Sequence, residues 1–300
     1  MAETPHKNFK SGFVAIIGAP NVGKSTLLNK ILGQKLSITS KKPQTTRNRI
    51  LGIIHRPEAQ IVFLDTPGIH TSDKPLNVRI VEIALSVLGD VDLVLMLADA
   101  SKPDIESEKL LLKSLKKQNT PVILALNKID LIKKPALLLQ ISAWTKQFPF
   151  LSVIPISAKQ GDQLEELLTA MIQVLPPGPP LYPEETVTDL PMRFIAAEMI
   201  REKVFRLTGQ EIPYAVAVTV DAFQSEKANT RISIHATIHV ERDSQKGIVI
   251  GKKGSKLKQI GEAARKEIEE MVGARVFLKL FVRVQKNWSK DTKAIRRFGY

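Results

Sequence analysis

Gly18-Ala-Pro-Asn-Val-Gly-Lys-Ser25 follows a short apolar run at residues 13–18 and opens a stretch in which Leu27, Leu28, Ile31 and Leu32 recur at helical spacing. A strand passing through a glycine-containing turn into a helix is the context of a phosphate-binding loop. Gly18, Ala19, Pro20, Asn21, Val22 and Gly23 form a backbone that can wrap closely and turn its amides inward at a helix N-terminus, where phosphate oxygens are held. Lys24 is placed to reach β- and γ-phosphates and Ser25 to ligate Mg2+, with Thr26 completing the set as the helix begins.

The loop alone does not choose the base. Asn127-Lys-Ile-Asp130 ends the apolar run at 121–127. The Asp130 carboxylate can accept from the N1–H and 2-amino group of guanine, and adenine offers neither donor, so GTP and GDP are expected over ATP. Asn127 contacts N7 or tethers the loop, the Lys128 stem lies over the base and Ile129 completes the motif. Ser157-Ala158-Lys159 follows the next apolar run and supplies the matching base loop. Asp65-Thr66-Pro67-Gly68 ends another run. There Asp65 is expected to hold Mg2+ through water, and the Gly68 amide to bond the γ-phosphate and release it on hydrolysis. Thr45 and Thr46 lie in the polar segment where a switch threonine ligates Mg2+, and Thr46 is the preferred candidate. Ras-type enzymes place a water-orienting Gln just after this glycine, whereas this chain has Ile69, so slow intrinsic hydrolysis is expected. Lys24, Thr46, Asp65 and Gly68 are the residues expected to carry catalysis.

Working outward, apolar runs at 61–65, 92–98 and 151–156 join those at 13–18 and 121–127, alternating with helix-like stretches at 24–32, 77–88, 105–117, 136–146 and 163–175. Such alternation predicts an α/β domain, a mostly parallel doubly wound sheet covered on both faces, with ligand at the carboxyl ends of its strands. Residues 49–55 read as an antiparallel edge strand. The stretch 175–183, Leu-Pro-Pro-Gly-Pro-Pro-Leu-Tyr-Pro, is too proline-rich for a helix or a ladder and predicts a stiff, extended connector. The expected division is a GTPase domain at 1–175, a linker at 176–188, a second domain at 189–286 and a basic tail at 287–300.

In that second part a helix (189–207) and two strands (214–223, 230–240) precede a Lys/Gly segment, a long helix (255–271) and a last strand (275–285). Gly251-Lys252-Lys253-Gly254 is a GxxG loop between helical stretches, flanked by Ile248 and Ile250 on one side and Lys256 and Lys258 on the other. A nucleic-acid backbone can approach such a loop closely while the lysines neutralise phosphates. The element order is that of an α+β type II KH domain. Charge supports this: the chain carries a formal +14, and residues 181–300 hold 22 Lys and Arg against 15 Asp and Glu. A basic excess of this kind points to a polyanion, either nucleic acid or an anionic membrane surface. The chain has no cysteine, which excludes disulfides and thiolate metal sites. No leader and no membrane-spanning run is read from the sequence, and a cytoplasmic location is expected.

Together GAPNVGKST, PQTTR, DTPGIH, NKID, ISA, the proline-rich connector and VIGKKG resemble the Era family of bacterial GTPases over essentially the whole chain. Residues 71–75 are a less typical form of the segment after DTPGIH. The resemblance implies binding to the 3′ end of 16S ribosomal RNA through the KH domain, a role in 30S subunit maturation and peripheral association with the inner membrane; a monomer is expected. Two other classes stay open on the sequence, a nucleotide-tuned RNA chaperone and a membrane-associated signalling GTPase.

Overall fold

The computed structural model describes residues 9–39, 47–69, 87–208, 212, 216–225 and 231–298. Contacts divide the chain into two compact units, and one of the boundaries between them falls between Asp189 and Leu190. In the first, strands β1 (Lys10–Gly18), β2 (Ile50–Arg56), β3 (Ala59–Asp65), β4 (Leu93–Asp99), β5 (Val122–Asn127) and β6 (Ser152–Ile156) form one sheet. Its order is β2-β3-β1-β4-β5-β6. All pairs are parallel except β2 with β3, which are antiparallel. Every residue of β3, β4 and β5 is buried. That is the signature of parallel strands covered on both faces, and it explains their unbroken apolar sequence.

Helices α1 (Lys24–Leu32), α2 (Ile105–Leu115), α3 (Lys134–Thr145) and α4 (Leu164–Val174) provide the cover. Leu111, Leu112 and Leu115 of α2 join Val94, Met96 and Leu124 of the sheet in one core cluster. Asp104 caps α2 by accepting from the Ser107 amide at 3.1 Å, satisfying a donor the helix itself cannot. The helix expected at 77–88 lies almost wholly outside the described residues; Val87–Gly89 forms one 3-10 turn.

The proline-rich stretch lies along the sheet. Ser11 donates its amide to Pro176 O at 3.2 Å, Gly178 donates to Phe9 O at 3.0 Å and the edge-strand amide of Ile53 donates to Val187 O at 2.8 Å. The buried Gln60 side chain accepts from the amides of Leu181 and Tyr182 and donates to Tyr182 O. Thr188 donates its hydroxyl to Leu51 O. Residues that pair poorly among themselves thus cover the exposed rim of β2, an edge that would otherwise invite pairing with another chain.

The second unit contains α5 (Met192–Leu207), β7 (Ala217–Ser225), β8 (Arg231–Val240), α6 (Asp243–Ile250), α7 (Ser255–Val272), β9 (Arg275–Val284) and α8 (Thr292–Arg297). Its sheet runs β7-β8-β9, antiparallel then parallel, and α5 and α7 pack together. The expected helix at 189–207 starts at Met192, after Pro191, which has no amide to donate to a preceding turn. The residues expected as a basic tail fold back instead: Ser289 donates its amide to Glu241 Oε1 at 3.1 Å, and Trp288 is fully buried. None of the described helices is long and apolar enough to cross a membrane.

Candidate nucleotide site and nucleic-acid groove

Strand register assembles the nucleotide site. Ile16 pairs with Asp65, while Asp99 pairs with Asn127 and Asn127 with Ile156. The motifs that follow these residues therefore emerge side by side at the carboxyl ends of the strands, where the chain order switches direction.

In the phosphate loop, Gly23 has φ 106°, a left-handed value, and a Cβ there would stand 2.3 Å from Asn127 Nδ2. Glycine is required both by the backbone and by that neighbour. Buried Lys24 donates from Nζ to Gly18 O and Ala19 O, each at 2.9 Å. Burial lowers its pKa to about 8 although Asp65 pulls the other way. Pro20 packs against Gly68, where a Cβ would meet Pro20 Cα at 2.8 Å. Asn21 is exposed and Thr26 half-buried. Thr66 donates its hydroxyl to Ile16 O at 2.8 Å, and Pro67 beside it is buried.

Asp65 is wholly buried. Its Oδ2 accepts from the hydroxyls of Ser25 and Ser37, both at 2.9 Å, while Oδ1 has no hydrogen-bond partner among the described residues. Desolvation pushes this carboxyl above its ordinary range, against the opposing pull of Lys24 and the two serines. A buried carboxylate oxygen without a donor, beside a serine hydroxyl and a lysine, fits a hard cation with oxygen ligands. Thr45 and Thr46 lie outside the described residues.

Asn127 joins the loops. Its Nδ2 donates to Val22 O at 2.7 Å, and its Oδ1 accepts from the Ala158 amide at 2.9 Å. Of the sequence alternatives for this residue, the tether is the one observed. Lys128, at φ 68°, donates to Asn21 O at 2.8 Å and to Asp99 Oδ2 at 2.5 Å. Burial raises the Asp99 carboxyl, but the hydrogen bonds from Lys128 and Ser101 outweigh it and hold it below its ordinary value. Ile129 begins a 3-10 turn. Exposed Asp130 accepts from Ser157 Oγ at 2.7 Å. The Ala158 amide, expected to face the base, is engaged by Asn127; Lys159 is exposed beside it. Ile69 is fully buried within the core cluster, so its side chain cannot position water.

Sequence reasoning missed Asp99, Ser37 and Asn29. Asn29 Oδ1 accepts from the amides of Leu36 and Ser37, clamping the turn that delivers Ser37 to Asp65. An asparagine on the polar face of α1, four residues before Gly33, was the available signal.

The second unit carries the GxxG loop. Gly251 and Gly254 have φ of 71° and 78°, and a Cβ on Gly251 would lie 2.6 Å from Lys256 Cβ. Lys252, Lys253 and Lys258 are exposed and Lys256 is half-buried. Ile248 is 47% exposed and Ile250 half-buried. Beside the loop, Leu257, Lys258, Gly261 and Arg265 of α7 face Leu278 and Leu280 of β9 across a groove of 330 Å3. Its apolar walls suit unstacked bases, and its rim carries Lys258 and Arg265 for the backbone together with one carboxylate, Glu262. Sequence reading found the loop; Leu278 and Leu280 become a wall of the groove only through the fold. Trp288 packs edge-on against Phe298, which removes it from any RNA surface.

Two family models match: 50S ribosome-binding GTPase at residues 13–128 and KH domain at residues 211–289. GTPase Era of Geotalea uraniireducens (strain Rf4) is 54% identical over 98% of this chain and 99% of its own. GTPase Era of Geobacter metallireducens is 54% identical over the full length of both chains. Among solved structures, Era in complex with MgGDPNP and nucleotides 1506–1542 of 16S ribosomal RNA superposes with a TM-score of 0.93 at 44% identity, covering 97% of this chain and 99% of that one. An Aquifex aeolicus Era variant bound to GDP.AlF4- gives 0.93 at 42% identity, with the same coverage.

Proposed function

The chain belongs to the Era family of GTPases, and from that premise we propose that it is a molecular switch that binds and slowly hydrolyses GTP, binds 16S ribosomal RNA near its 3′ end and assists 30S subunit maturation. The observation that carries this reading is the Asn127 tether, which locks the phosphate loop and the base loop into one site beside Asp65. Lys24 supplies positive charge to β- and γ-phosphates, and contact with those anions favours its protonated form. Asp130 reads the guanine edge. Ser25 and Asp65, with Thr46, would hold Mg2+, which when bound neutralises charge on the transferring phosphoryl group. Ile69 orients no water, so hydrolysis without a partner is slow. The GxxG lysines and the α7–β9 groove take the RNA strand. The protein works as a cytoplasmic monomer that can also meet the inner membrane peripherally.

The test is ultraviolet crosslinking and sequencing of cellular RNA bound to the protein loaded with a non-hydrolysable GTP analogue or with GDP. A sharp peak at the 3′ end of 16S RNA, stronger with the analogue, is expected. A diffuse profile contradicts the assigned target.

A further inference from the structure

The face of the β7-β8-β9 sheet turned away from α5 and α7 has no role in the groove. Along β9, alternate residues Arg275, Phe277, Lys279, Phe281 and Arg283 are all exposed, with the two rings at 44% and 45%. Register places Arg231 of β8 in the same row as Arg275. Neither β8 nor β9 contains a carboxylate; the face does carry Asp221 of β7, which accepts from Thr237 in the row of Phe281. The rings are held in cationic company: Arg231 lies 5.1 Å from the Phe277 centroid and Lys279 5.1 Å from that of Phe281.

Resting on the RNA reading of the groove, we infer that this face is a second RNA-binding surface, on which bases of the single strand leaving the α7–β9 groove stack on Phe277 and Phe281. Two arguments carry it. The first is charge complementarity. Cations alternating with exposed aromatic rings on a flat sheet match a strand of phosphates and π-faces, and such stacking tolerates any base. The second is continuity. Strand β9 is an edge strand, and it presents Leu278 and Leu280 to the groove while Phe277 and Phe281 occupy its opposite side. A single strand crossing that edge passes from one surface to the other.

The experiment uses the full chain with Phe277→Ala and Phe281→Ala together. Its probes are a single-stranded RNA of about four nucleotides from the 16S 3′ end, the length a GxxG groove clamps, and the fragment of nucleotides 1506–1542. Unchanged affinity for the short RNA is expected, with a loss for the long one of roughly tenfold per ring. The Phe277→Tyr, Phe281→Tyr pair keeps the rings and should restore binding, while Lys279→Glu should weaken the long RNA and flatten its salt dependence. Unaltered affinity for the long RNA overturns the inference, as does an equal loss for both RNAs. Loss of binding to phosphatidylglycerol vesicles with RNA affinity intact would make the face a lipid surface and also overturn it. Lys252→Glu with Lys253→Glu tests the groove separately: if short-RNA affinity survives that change, the groove reading fails and this inference with it.

Discussion

The Asn127 amide serves two loops at once, one hydrogen bond to Val22 O and one from the Ala158 amide. Both partners are buried, so removing the side chain strands a carbonyl and an N–H away from water. Asn127→Ala should weaken GDP and GTP alike by about tenfold or more, and lower stability by about 1–3 kcal/mol; titration with fluorescent nucleotides and thermal melts measure both. Asp130 differs in being exposed, and its proposed role is to read the base. Asp130→Asn replaces two acceptors by one acceptor and one donor, which suits the N1–H and 2-keto edge of xanthine. Guanine nucleotide affinity should collapse and xanthosine triphosphate should bind, as competition assays would show. At this scale the convergence of the motifs was legible, because each follows an apolar run that the sheet sets beside the others. Asp99 was not legible: its role depends on β4 lying beside β5 and delivering a carboxylate to Lys128, a contact that no local pattern announces.

Elements show where local pattern falls short of tertiary context. The stretch of prolines at 176–188 reads as a stiff connector, yet the structure finds it strapped along β1, β3 and the rim of β2. In the middle of the strap the Gln60 side chain holds the backbone groups of Leu181 and Tyr182. A glutamine in an apolar strand was the one visible sign. Gln60→Ala should destabilise the first unit by about 1–3 kcal/mol, with faster amide exchange at residues 181–188 and at Ile53. The C-terminal element behaves likewise: its basic residues suggest a solvated tail, but Trp288 and Phe298 anchor it. Phe298 lies over His239, with ring centroids 4.6 Å apart. Burial lowers the His239 pKa to about 4, Arg283 and Arg297 adding to the effect against Asp221. A group whose folded pKa lies below its unfolded value of 6.5 binds fewer protons when folded. Its contribution is therefore whole above pH 6.5 and declines as pH falls toward 4, by at most about 3 kcal/mol. Unfolding followed by Trp288 fluorescence should show this loss, and His239→Gln should remove it.

For the whole molecule, both units were foreseeable in kind, since apolar strands alternating with helices and the later helix–strand–strand order leave few alternatives. What could not be foreseen was the second wall of the groove and the exposed aromatic row on β9, because a period-two strand does not declare which face its neighbours will cover. The central claim is that a GTP site and an RNA groove on one chain form a coupled switch. Coupling is reciprocal: if GTP strengthens RNA binding, RNA must strengthen GTP binding by the same factor. The most direct measurement is the equilibrium affinity of the protein for nucleotides 1506–1542 of 16S RNA, with a non-hydrolysable GTP analogue and with GDP, at one salt concentration. Tighter binding with the analogue, by about 5- to 150-fold, is expected, with no such difference in Asp130→Asn, whose site rejects both nucleotides. Equal affinity with the analogue and with GDP in the unaltered protein would contradict it, leaving a GTPase and an RNA-binding domain that merely share a chain.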